Sequence, residues 1–65
     1  MKYDVWIENQ DTGVWELPPE NWNLTKAEAK AKAEEAVRDF EAYGYDGWSA
    51  VDVTKHNVPP SVEDS

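Results

Sequence analysis

The chain contains no cysteine, so neither a disulfide framework nor a thiolate metal site can staple it, and it reads as cytoplasmic rather than secreted. Long apolar runs are missing too. Nothing approaches the roughly 18 consecutive apolar residues of a membrane span, and "MKYDVWIE" places acids where a signal peptide needs an apolar block, so a soluble, unprocessed protein is expected. Basic residues are scarce, 6 against 14 acidic, for a formal charge of −8. Such a chain repels phosphate backbones, which argues against direct nucleic-acid binding; its charge serves solubility or attraction to a basic partner. The sequence has one histidine and shows no glycine-rich phosphate loop, nucleophile elbow or metal-ligand spacing, so no catalytic residue, cofactor or metal is expected.

What is present is aromatic. Four tryptophans lie within 65 residues, a length at which one small core must suffice without covalent help. Tryptophan supplies core area, but it also anchors binding surfaces, so each one has to be assigned a face.

Residues 2–9, "KYDVWIEN", have period two and β-favouring side chains, which predicts a strand. A polar turn ending at Gly13 leads to a second short strand over 14–17, stopped by Pro18 and Pro19. If odd positions of one strand pair with odd positions of the other, Tyr3, Val5, Ile7, Trp15 and Leu17 share one face and Asp4, Trp6, Glu8, Val14 and Glu16 the other. Thr25 and Glu28 have the spacing of a capping box, which predicts a helix over about 26–43. Ala29, Ala33, Ala36, Val37, Phe40 and Tyr43 form its apolar stripe, and Gly44 suits a left-handed cap. After "GYDG" a third strand is expected over 48–55, with Val51 and Val53 in the core and Trp48, Ala50, Asp52 and Thr54 opposite. Residues 56–65 read as an extended or disordered tail in which Pro59, Pro60 and Val62 could cover tryptophans.

These elements predict one two-layer α+β domain, ββαβ, over residues 1–55. A right-handed crossover gives an antiparallel sheet of order 2-1-3 under one helix, with 1-2-3 as the alternative order. Trp15 and Trp22 are assigned to the core and its closure. Trp6 and Trp48 are left on the outer sheet face beside Val14, within a rim of Asp4, Glu8, Glu16 and Asp52. Aromatic anchors inside an acidic rim have the composition of a protein-binding surface.

The expected function is therefore a non-enzymatic binding module of inhibitor or adaptor type, a style found among small acidic proteins of phages and mobile elements. Its partner would be a larger protein, for instance one with a basic surface. A homodimer built on the same face is the structural alternative. A nucleic-acid mimic acting through Glu34, Glu35, Asp39 and Glu41 is another. A weak metal or acid/base cluster of His56 with Asp52 and Thr54 ranks below these, because a single histidine at a strand end is usually a surface residue. The "NLT" sequon at Asn23 is explained by the helix cap at Thr25.

Overall fold

A computed structural model of the chain describes residues 1–60 and arranges them as β1 (Tyr3–Glu8), β2 (Trp15–Glu16), α1 (Lys26–Ala42) and β3 (Val51–Lys55). Single turns of 3-10 helix occupy Pro19–Asn21 and Gly47–Ala50. The strands form one antiparallel sheet in the order β2-β1-β3, and α1 packs on β1 and β3. This is the small α+β domain that the pattern implies.

The β1–β3 ladder sets Val5 opposite Val53 and Ile7 opposite Val51, so these side chains line the helix side of the sheet. Against them α1 buries Ala29 and Val37. Its N-terminus is closed reciprocally: Thr25 Oγ1 accepts the Glu28 amide, and a Glu28 carboxylate oxygen accepts the Thr25 amide. At the other end the Tyr45 amide reaches back to the Phe40 carbonyl and the Gly44 amide to that of Glu41, a Schellman cap with Gly44 at φ +89°. The apolar contact that accompanies this cap is between Phe40 and Tyr45, whose rings meet edge-on at 6.3 Å. Tyr43, expected in the buried stripe, is instead the cap residue and 80% exposed.

The hairpin departs from the expected register. Ile7 pairs with Glu16 and Glu8 with Trp15, odd with even. The cause is the loop: the Asn9 amide donates to the Val14 carbonyl, so four residues separate the strands, and Gly13 at φ +77° closes the turn onto the Asn9 carbonyl. An even loop exchanges the faces of β2. Trp15 therefore lies on the outer face beside Glu8, and Glu16 lies on the helix side. The two-residue β2 is continued along β1 by an isolated bridge in which Tyr3 and Leu24 exchange both backbone hydrogen bonds, at 2.8 and 2.7 Å.

The third strand begins at Val51, not at Trp48. Asp46 Oδ1 accepts the Trp48 amide and the Ser49 hydroxyl donates to the Asp46 carbonyl, which holds Gly47–Ala50 as a helical turn. That turn lies close on α1. A Cβ on Gly47 would overlap the Val37 carbonyl oxygen and come within 2.9 Å of Val37 Cγ1, so only glycine permits the approach. The His56 amide extends the ladder to the Lys2 carbonyl and the Val58 amide closes a turn on the Lys55 carbonyl, so this start of the expected extended or disordered tail is held on the domain. Pro60 is buried. Residues 61–65, with Val62, lie outside the described residues.

Candidate functional site

The surface expected to unite Trp6 with Trp48 is divided by the fold. Trp6 stands on the outer face of β1 directly opposite Asp52, with Glu8 and Asp4 on the same side of its strand. Its indole N–H donates to Thr54 Oγ1 at 3.0 Å, and that hydroxyl donates in turn to the Val58 carbonyl at 2.6 Å. Trp6 is thereby tied to the turn after β3 and is only partly accessible. Val14 and Glu16 belong with the helix side by register, and Val14 is exposed at the hairpin end. Trp48, in the turn before β3, lines a groove on the helix side.

Asp4, expected in an acidic rim, is completely buried. Its Oδ1 accepts the Asn23 amide at 2.8 Å and lies 3.0 Å from His56 Nδ1, while Oδ2 accepts the Asn57 amide at 3.0 Å. The ring contact requires the imidazole proton on Nδ1. Asn23 and Asn57 both have left-handed backbones, φ 59° and 70°, a conformation that asparagine tolerates better than most residues. Burial alone pushes the Asp4 carboxyl up, but the Asn23 amide, the His56 ring and the Asn57 amide together hold it below its ordinary value. Trp22, expected to close the core over Leu24 or the helix stripe, packs edge-on against His56 with ring centroids 4.9 Å apart and is 51% exposed.

An aspartate on a histidine Nδ1 is the orienting half of many acid/base centres. Among the described residues the Ser49 hydroxyl donates to the Asp46 carbonyl and the Thr54 hydroxyl to the Val58 carbonyl. Asp52 and Thr54, the expected neighbours of His56, pair with Trp6 and Asp4 across the ladder, and His56 bonds Asp4 instead. Among the described residues no group of three metal-capable side chains converges. The Asp4 carboxylate joins β1, the segment entering α1 and the turn leaving β3.

The groove beside Trp48 differs in kind. It has a volume of about 440 Å3 and lies between α1 and β3, floored by Tyr3, Ala29, Ala33 and Val53. Trp48 is 66% and Val53 41% exposed, so large apolar side chains border an open concavity. Lys26, Lys30 and Glu34, spaced four residues apart along one flank of α1, form its rim. This groove is not legible in the sequence, because it depends on which flank of the helix overlooks β3 and on Trp48 leaving the strand. On the opposite flank a second groove of about 340 Å3 is bordered by Glu20, Glu35, Asp39 and Lys32, with Ile7 and Phe40 beneath. The helix acids are thus split between two flanks. No protein-family model, curated protein or solved structure matches the chain.

Proposed function

We propose that this chain is a small non-catalytic protein-binding domain whose contact surface is the groove formed by Trp48, Val53, Tyr3 and the Lys26–Lys30 flank of α1. One observation supports the reading above all: the tryptophan and valine bordering that groove are exposed, whereas Trp6 spends its indole N–H within the molecule. Exposed aromatic anchors over a concave apolar floor are where association gains most of its free energy. The acidic remainder of the surface sets solubility and approach rather than the contact itself.

The test is capture of partners from a lysate of the source organism with wild-type protein, Trp48→Ala, and a variant neutralised at Glu34, Glu35, Asp39 and Glu41. Partners retained by wild type and by the neutralised protein but lost with Trp48→Ala support the groove. Retention by Trp48→Ala together with loss on neutralisation would transfer the function to the helix acids and to the mimicry of a nucleic acid.

A further inference from the structure

Resting on the reading of this groove as the contact surface, we infer that its occupant is an extended, carboxylate-bearing segment of another protein, which adds to β3 as a fourth strand of the sheet. The backbone of β3 dictates the form of the ligand. The His56 amide bonds the Lys2 carbonyl, and hydrogen-bonded pairs in an antiparallel ladder recur every second residue. Thr54 and Asp52 therefore direct their backbone groups toward β1, and Val51, Val53 and Lys55 direct theirs outward. The Lys55 carbonyl is taken by the Val58 amide; among the described residues, none bonds the outward N–H and C=O of Val53. Edge strands with unpaired backbone groups are templates for a further strand. A strand laid there continues the sheet beneath the overhanging flank of α1, and its inward side chains enter the groove over Val53 and Ala33.

Charge selects the chemistry. The chain has only 6 basic residues, and three of them lie at or beside this site against one acid, Glu34: Lys26 and Lys30 on the rim, and Lys55 on β3 opposite Tyr3. Lys26 follows closely on the Leu24 bridge to Tyr3, so the cations gather at the C-terminal end of β3, while Trp48 stands at the other end. The fitting segment carries an apolar residue opposite Val53, an apolar or aromatic one toward Trp48, and carboxylates toward Lys55. A second copy of this chain fits less well. Twofold pairing centred on Val53 sets Lys55 opposite the apolar Val51, between two chains of charge −8.

The experiment uses the full chain, labelled with 15N, and capped seven-residue peptides that alternate threonine with two valines and one glutamate. A lysine version of the peptide and one N-methylated along its pairing edge serve as comparisons. The expected result is saturable shifts at the Val51, Val53 and Lys55 amides with slowed exchange at Val53. Affinity should fall about tenfold for the lysine peptide, vanish on N-methylation, and reverse its charge preference in the Lys26→Glu, Lys30→Glu variant, whose exposed positions leave the fold intact. Equal binding of the two charge forms, no binding of either, or concentration-dependent protection of Val53 without peptide would overturn the inference, the last in favour of a second copy. If lysate capture still requires Trp48 while no peptide adds to β3, the strand mode fails and the binding domain stands.

Discussion

Replacing Asp4 with asparagine removes one charge and almost no volume, which makes it a sharp probe of the buried cluster. One carboxylate oxygen becomes an NH2 group, and in either orientation it must face a backbone amide, that of Asn57 or that of Asn23. A buried donor left without an acceptor costs about 1–3 kcal/mol, and the surviving hydrogen bonds lose the strengthening of a charged acceptor, about 1 kcal/mol each. The expected loss at pH 7 is about 3 kcal/mol. A domain of this length is stable by only about 3–10 kcal/mol, so the variant sits near the edge of folding. Urea titration followed by tryptophan fluorescence is the assay; with a slope of about 1 kcal/mol/M, the midpoint should fall by about 3 M. The sign of the pH dependence follows from the lowered carboxyl of Asp4. Its contribution is fully present above the unfolded value of about 3.9 and is lost as the pH falls from there through the folded value, so the gap between wild type and variant narrows on acidification. A difference under about 0.5 kcal/mol at pH 7, the range of an ordinary surface substitution, would refute the reasoning, as would a gap that stays constant through the acid range.

Gly47→Ala should cost about 2–3 kcal/mol in the same titration, because the added methyl meets the Val37 backbone, which cannot yield without moving α1. Gly44→Ala, where nothing lies near the new methyl, should cost only the left-handed strain of about 1–2 kcal/mol, and a larger loss than at Gly47 would reverse the packing argument. Trp6→Phe should lose about 1 kcal/mol through its bond to Thr54, a partly buried pair. Trp48→Ala should stay within about 1 kcal/mol of wild type, since most of that side chain is already in water; a loss of about 3 kcal/mol, the size of a buried aromatic truncation, would place Trp48 in the core.

Local chemistry made most of the fold legible. The capping box at Thr25, the glycine cap at Gly44 and the alternation of "YDVWIE" each act over a few residues, and the handed crossover then leaves β1 in the centre. The face of β2 was not legible in the same way, because one extra loop residue inverts it and the turn type at Gly13 admits either count. Trp48 is hidden for a related reason: "WSAVDVTK" alternates from its first residue, and only the Asp46 cap and the contact of Gly47 with Val37 convert that first part into a helical turn. Asp4 is the least legible residue. An acid in the solvent phase of a strand is ordinarily exposed, and its three donors come from segments far along the chain. Two asparagines at chain reversals, Asn23 and Asn57, are the signal that could have pointed to a buried acceptor between them.

The spacing of those donors also assigns Asp4 a moment in folding. Its partners are 19, 52 and 53 residues away, so the carboxylate has little to bind until the central strand has recruited segments from both halves of the chain. Hairpin and helix can nucleate without it, since their contacts are local. A residue whose interactions form after the transition state governs the rate of escape from the native state more than the rate of arrival. Asp4 is in that sense a latch, and its loss should appear chiefly as faster unfolding, with the folding arm of the kinetics nearly unmoved.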